Sequence, residues 1–467
     1  MRPETKALLE KDRNTVFHAS THLKQYAHGE MPGRVIETGK GIRITDSEGI
    51  ELIDGFAGLY CVNIGYGREE MAEAIYEQAK KLAYYHTYVG HTNEALVTLS
   101  ERLIKMAPGM SKVYYGMSGS DANESQIKLV WYYNNARGKP EKKKIISRDR
   151  GYHGSSIASG SLTGLPLFHA HFDLPIERIK HTMAPYYYRR EDSGMTEPEF
   201  AQHCADELEK MILAEGSDTV AAMIAEPVLG TGGIVPPPEG YWTAIRKVLD
   251  KYDILLIADE VVCGFGRIGS DFGSIYYDMK PDLITVAKGL TSAYQPLSGV
   301  MIGHKVWDVL EDGTDAWGAI GHGYTYSGHP LGAAAALCNL DIIERENLTQ
   351  NAATTGEYLQ MKMQAAFADH PLVGDSRGIG LLHALEFSPD RANRSHFNPN
   401  LKVGPQVAAA CLEQGLIARA MPHGDILGFA PPLVVTPNEV DEIVAKAKVA
   451  VDKVMDKLVT SGQWQPK

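Results

Sequence analysis

The sequence predicts an α/β protein: a large, doubly wound, mostly parallel sheet with a second, smaller α+β lobe. Three observations predict it. Strand-like and helix-like segments alternate from Val113 to Ile302, the order that builds a doubly wound sheet. Two apolar runs within that stretch, Ile254–Ala258 and Leu283–Ala287, have the length and β-branched content of parallel strands buried on both faces. At 467 residues the chain also exceeds what one hydrophobic core usually supports, so more than one lobe is expected.

Residues 1–32 read as a short helix and an irregular arm without a core of its own, of the kind that often packs on a partner subunit. Between Arg34 and Asp54, apolar alternation around Asp46-Ser47-Glu48-Gly49 predicts a β-hairpin. The run Phe56–Gly67 is rich in glycine and aromatic residues, as a pocket-lining loop would be. Helices follow over about Glu69–Leu82 and Glu94–Met106. The strand Val113–Tyr115 then leads through Gly116–Ala122 into the helix Asn123–Arg137. Its small residues leave backbone N–H groups free at a helix N-terminus, which makes either an anion site or a plain N-cap by Ser120 or Asp121. Segments at Lys144–Ser147, Val220–Pro227, Tyr241–Lys251 and Ser298–Ile302 continue the alternation. A helix over Leu331–Arg345 leads to the C-terminal lobe, where Gly378 and Gly380 precede the strand Leu381–Phe387. Thr436-Pro437-Asn438-Glu439 forms a capping box with proline at the first helical position, and apolar residues recur at helical spacing from Val440 to Leu458. The chain therefore divides into an arm and part of the small domain (1–70), a large domain (71–330), and a linking helix with the rest of the small domain (331–467).

Hydrophobic content of 44% and charged content of 22% are ordinary for a globular chain. A net charge of −12 argues against nucleic acid as a partner. No apolar run approaches the roughly 20 residues of a membrane span, and the N-terminal segment lacks the apolar core of a secretory signal. The five cysteines, scattered and without a C-x-x-C pair, argue for a reducing, cytoplasmic setting. The 17 histidines show no H-E-x-x-H or comparable spacing, so no metal is expected.

The chemistry concentrates at the ends of the two apolar runs. Asp259 follows the first and Lys288 ends the second, and ligands of open α/β sheets bind at that strand edge. A carboxylate and an amine at one edge suit a cofactor with a basic ring nitrogen and an aldehyde, which describes pyridoxal phosphate. Strand periodicity puts Val261 on the same face as Asp259, offering a methyl surface to the ring. The carboxylate would hold the pyridine nitrogen protonated, since an opposite charge favours the charged form. Lys288, ahead of Gly289 at the end of an apolar strand, would be partly desolvated and its pKa lowered. Tyr152, after another strand, would stack on a planar ring. Each of these alone has an ordinary reading as a strand-end cap, a common lysine or a packed tyrosine; their convergence at one edge selects the cofactor. Gly264–Gly269 matches G-x-G-x-x-G after a strand, but the residues that follow lack a helical period and carry Gly273 and Pro281, against a dinucleotide fold.

Six motifs carry a resemblance: Ser118–Ser120 (SGS), Gly151–Gly154 (GYHG), Ala225–Pro227 (AEP), Ala258–Arg267 (ADEVVCGFGR), Ala287–Gly289 (AKG) and Tyr324–Pro330 (YTYSGHP). Together, over nearly the whole chain, they resemble the class III aminotransferases, and among these the ω-amino acid or amine:pyruvate transaminases. The resemblance implies a PLP-dependent transferase of fold type I, with its small domain built from both chain ends, working as a homodimer or a pair of dimers with sites at the subunit interface. Lys288 would carry the cofactor as a Schiff base and later shift the proton. Asp259 would pair with the ring nitrogen, Tyr152 and Val261 would sandwich the ring, and Glu226 would steady its polar edge. Gly119 and Ser120 would bind the phosphate, joined by Thr325 of the other subunit; Ser118, His153 and Tyr324 complete the implied cofactor set. Arg419 matches the family's mobile arginine for the acceptor's carboxylate. Tyr60, Tyr88 and Thr231 would line the substrate pocket. Tyr60 stands where many relatives have tryptophan and Thr231 where many have alanine, so the pocket wall is altered.

The expected activity is amino transfer from an amine or ω-amino acid to pyruvate by a ping-pong cycle. The competing readings are a PLP-dependent aminomutase or racemase on the same fold, an NAD-dependent oxidoreductase, and an inactive binding protein. Retention of both Asp259 and Lys288 argues against the last.

Overall fold

Seven strands form the central sheet, in the order Met110–Gly116, Ser298–Gly303, Leu283–Val286, Leu255–Asp259, Val220–Ala225, Lys144–Arg148, Ile179–Thr182. The structure, a computed structural model, describes residues 1–466. Only Ser298–Gly303 runs against its neighbours; every other pairing in the sheet is parallel. The inner strands are buried on both faces, and alternate residues feed two different cores. Ala222, Ile224, Leu255, Ile257, Val300 and Ile302 face one; Met223, Ala225, Leu256, Ala258 and Met301 face the other. That period-two division is what an unbroken apolar run produces once helices cover both faces.

Because those strands run parallel, their carboxyl ends gather at one edge. Gly116, Arg148, Ala225, Asp259 and Val286 all end there, and each is followed by a segment carrying a residue singled out above.

The N-terminal hairpin is part of a larger unit. Ile36–Lys40, Arg43–Asp46 and Glu51–Asp54 form an antiparallel meander, and Leu416–Ile417 adds a parallel strand to it. The two chain ends therefore share one sheet. A second sheet, Val373–Ile379, Leu382–Phe387, Ile426–Phe429 and Arg419–Ala420, lies wholly in the C-terminal part. The closing helix, Pro437–Thr460, starts as its capping box requires: Thr436 Oγ1 accepts from Glu439 N, and Glu439 accepts from Thr436 N.

Two expectations need correction. The helix placed at Asn123–Arg137 begins earlier, at Gly119, and its N-cap is Ser118 rather than Ser120 or Asp121. Asp121 occupies the third helical position and closes the capping box by accepting from Ser118 N at 3.1 Å. The sequence reading also missed the edge strands Ile179–Thr182 and Val373–Ile379 and the helices Glu197–Glu215, His304–Trp317 and Leu348–Phe367.

Gly264–Gly269 opens no helix: Phe265, Gly266 and Gly269 adopt positive φ, and the next helix is the four-residue Gly273–Tyr276. A Cβ on Gly269 would come within 2.8 Å of Ala353, so the glycine serves a close chain crossing and not a phosphate. Among the described residues no helix is long and apolar enough to cross a membrane.

Candidate active site

A cavity of about 140 Å³ opens at the carboxyl edge of the sheet, lined by Gly119, Ser120, Tyr152, His153, Glu226, Asp259, Val261 and Lys288 among others. Asp259, 2% exposed, ends its strand at the cavity floor. Its Oδ2 accepts from His153 Nδ1 at 2.7 Å and Asn123 Nδ2 at 3.0 Å, while Oδ1 accepts from Val261 N at 3.1 Å. Asn123 is itself oriented, because its Oδ1 accepts from Thr285 Oγ1 at 2.8 Å and its amide also donates to the His153 carbonyl. Three donors hold this carboxylate in one place.

Lys288 follows the neighbouring strand with φ of 45°, a left-handed conformation that is unusual for a residue with a side chain. Among the described residues its ammonium has neither a hydrogen bond nor an ion pair, and it lies 5.4 Å from the centroid of the buried Tyr60 ring. Burial pulls its pKa below the usual lysine value, against the pull of Cys61, Asp259 and Glu226 in the other direction. An unpaired amine of lowered pKa is a poised nucleophile and proton carrier.

Tyr152 is set by its backbone: its N–H donates to Glu226 Oε1 at 3.0 Å. Glu226 Oε2 accepts from Gly230 N at 2.8 Å, and burial pushes its carboxyl above the ordinary range. Gly119 and Ser120 form the first turn of their helix and line the cavity, where the N–H groups of a first turn have no partner within the helix. A Cβ on Gly119 would lie 3.2 Å from Val261 Cγ2, a tight contact to which Val261 would have to yield.

These residues suit a phosphorylated pyridine aldehyde, with donors at one end, a carboxylate at the other, apolar and aromatic walls between, and an amine without a partner among the described residues beside them. Other predicted site residues lie elsewhere. Ser118 caps the helix through Asp121 and does not line the cavity. Tyr324 stays behind the helix start, donating to the Asp121 carbonyl at 3.4 Å, and the Thr325 carbonyl accepts from Tyr84. Tyr88 is 43% exposed, with its hydroxyl near Gly323. Thr231 is buried in the turn that packs on Arg150.

Arg419 lies on a two-residue strand, its guanidinium 5.6 Å from the Phe56 ring centroid, and among the described residues it has no carboxylate partner. It lines a second, largely apolar cavity of about 460 Å³ with Asp54, Leu59 and Tyr66. Its charge acts on both Lys288 and Tyr60.

Sequence reasoning missed Asn123 and Glu260. Asn123 binds Asp259 from 136 residues away, and nothing local signals that contact. Glu260 alternates with Asp259 to the opposite side, where it accepts from Gly273 N at 2.9 Å and Ser274 N at 2.5 Å. Burial pushes its carboxyl up to about 7.

Residues 25–451 match the family model described as Aminotransferase class-III. The diaminobutyrate–2-oxoglutarate transaminase of Halomonas elongata is 70% identical over 463 residues, covering 98% of this chain and 99% of the relative. The putrescine–pyruvate aminotransferase of Pseudomonas aeruginosa is 43% identical, covering 91% of each chain. A crystal structure of the omega transaminase from Pseudomonas jessenii in complex with PMP superposes with a TM-score of 0.93 at 44% identity, over 96% of this chain and 98% of that one. The match over most of the chain, with relatives at these identities, means that this protein belongs to the class III aminotransferases, PLP-dependent transaminases that move an amino group from a small-molecule donor to a keto acid.

Proposed function

We propose that this transaminase takes its amino group from a terminal primary amine, on a diamine or an ω-amino acid, and delivers it to a 2-keto acid by a ping-pong cycle. The observation that carries the reading is Arg419. It is a guanidinium with no carboxylate partner among the described residues, it lines a largely apolar cavity, and its charge is felt at the unpartnered Lys288 amine. An apolar wall suits a donor lacking a carboxylate, and the guanidinium suits an acceptor that has one. The two named relatives support the donor class, since diaminobutyrate and putrescine both carry terminal amines. They differ in acceptor, 2-oxoglutarate against pyruvate; the 70% identity puts 2-oxoglutarate ahead of the pyruvate expected from the sequence.

PLP supplies, when bound, the electron sink that makes the carbon bearing the amino group acidic. The residues of this chain do the rest. Lys288 Nζ holds the cofactor and then carries the proton removed from that carbon. Asp259, fixed by His153 and Asn123, keeps the ring nitrogen protonated. Gly119 and Ser120 receive the phosphate, Tyr152 and Val261 wall the ring, and Glu226 fixes the Tyr152 backbone.

A panel crossing 2,4-diaminobutyrate, putrescine and 4-aminobutyrate with 2-oxoglutarate and pyruvate tests the reading. Turnover confined to α-amino acid donors overturns it. Arg419→Ala should raise KM for the keto acid roughly tenfold to a hundredfold, the loss of a charge-assisted contact of about 1.5–3 kcal/mol. Amine half-reactions by stopped flow should change far less. Equal losses in both halves would show that Arg419 only supports the pocket.

The site is completed by a second copy of the chain. Tyr324 and Thr325 do not line their own cavity, the Thr325 carbonyl accepts from Tyr84, and the large side chains of Tyr88, Val89 and Tyr326 are exposed. Sedimentation at micromolar concentration should give a dimer or a multiple of one; a fully active monomer would refute the shared site.

A further inference from the structure

Arg150 lies two residues before Tyr152, and its guanidinium is paired with no carboxylate among the described residues. Glu386, the acid nearest by charge, is already engaged by Arg189 and Arg377. Arg150 donates instead to two backbone carbonyls, from Nε to Gly232 at 2.8 Å and from Nη2 to His423 at 3.2 Å. Its planar group lies 4.8 Å from the Tyr186 ring centroid.

The two carbonyls belong to segments that matter for substrate. Gly232 follows Thr231 in a turn whose Gly230 N–H bonds Glu226. His423 is at the tip of the hairpin that pairs Arg419–Ala420 with Ile426–Phe429. The three pieces are in close contact: a Cβ on Gly233 would meet Ile426 Cδ1 at 2.9 Å and Arg150 Nη2 at 3.2 Å.

We propose that Arg150 is a positioning residue for acceptor recognition, setting the Arg419 hairpin in register against the loop that carries Tyr152. The proposal rests on the reading of Arg419 as the acid-binding residue. The Arg150 backbone is held independently of its side chain, because its N–H donates to the Gly164 carbonyl at 2.7 Å. Tyr152 is held by Glu226. Shortening the side chain therefore frees the hairpin and leaves the ring wall in place.

In Arg150→Met, the keto-acid half-reaction should lose affinity roughly three- to thirtyfold, the range for a residue acting through its neighbours. The amine half-reaction should stay within about twofold. Hydrogen exchange in the holoenzyme should quicken over residues 419–428 and not over 150–154. The same substitution in an Arg419→Ala background should add nothing to the keto-acid loss. Arg150→Lys, which keeps the charge but loses the two-pronged donor, carries the same readouts if Arg150→Met does not fold. Equal losses in both halves, or unchanged exchange in the hairpin, would overturn the proposal. If Arg419→Ala is selective and Arg150→Met is not, this inference alone falls; if Arg419→Ala is itself unselective, the reading of Arg419 falls first.

Discussion

Lys288→Ala should abolish transamination while leaving a folded protein that still holds PLP without a covalent bond. Loss of proton transfer alone is worth roughly 10²–10⁴ in rate, and loss of covalent attachment adds to it. Folding should not suffer. The ammonium has no partner among the described residues, and alanine at the same positive φ is strained no more than lysine. Borohydride reduction followed by peptide mass spectrometry should find the cofactor on Lys288, and label on another lysine would sink the assignment. Lys142, which is buried, is no competitor, since its Nζ donates to the Tyr252 and Asp253 carbonyls at 2.9 and 2.6 Å.

The pH dependence has a definite sign. Only the neutral amine attacks the aldehyde, and burial lowers the Lys288 pKa. Covalent capture of PLP by the apoenzyme should thus rise with pH and level off below the ~10.4 of a free lysine. A plateau at or above that value would show that the amine is as solvated as a surface lysine.

Asp259→Asn should lower the rate by on the order of 10²–10³, the scale for removing one preorganised electrostatic partner. Cofactor should be retained more weakly. The substitution is nearly isosteric, but the amide can no longer accept on both sides: His153, Asn123 and Val261 all donate to the carboxylate, and one of them would face an N–H. A second readout follows from the charge. Asp259 raises the Lys288 pKa, so its loss should move the capture plateau to still lower pH. Near-wild-type turnover in the variant would reduce Asp259 to a strand-end cap.

The inner strands were legible because burial on both faces turns a parallel strand into an unbroken apolar run, as at Leu255–Asp259 and Leu283–Val286. Edge strands lack that signature. Val373–Ile379 contains Gly-Asp-Ser-Arg-Gly, is partly exposed, and reads as a loop. The closing helix was legible to the residue because its start is specified by the capping box Thr436–Glu439, a local contact. The helix at Gly119 was placed late because Ser118, Ser120 and Asp121 are all good caps by composition. Ser118 holds the cap position with extended backbone, while Asp121 is drawn back by Met117 N–H and Ser298 Oγ, both at 2.9 Å.

The sequence by itself determined the class of the fold and the residue types at the sheet edge: a carboxylate after one buried strand, an amine after the next, and a small-residue turn before a helix. Those are local properties, set by periodicity, capping and the direction that parallel strands share. Only the tertiary structure decided what those groups do to one another. Asn123 and His153 reach Asp259 across 136 and 106 residues of chain. Arg419, from the C-terminal part, comes to Phe56 and near Lys288, and Arg150 joins the Tyr152 loop to the Arg419 hairpin across 273 residues. Charge pairing, burial and pKa depend on distances through space, and no spacing along the chain encodes them.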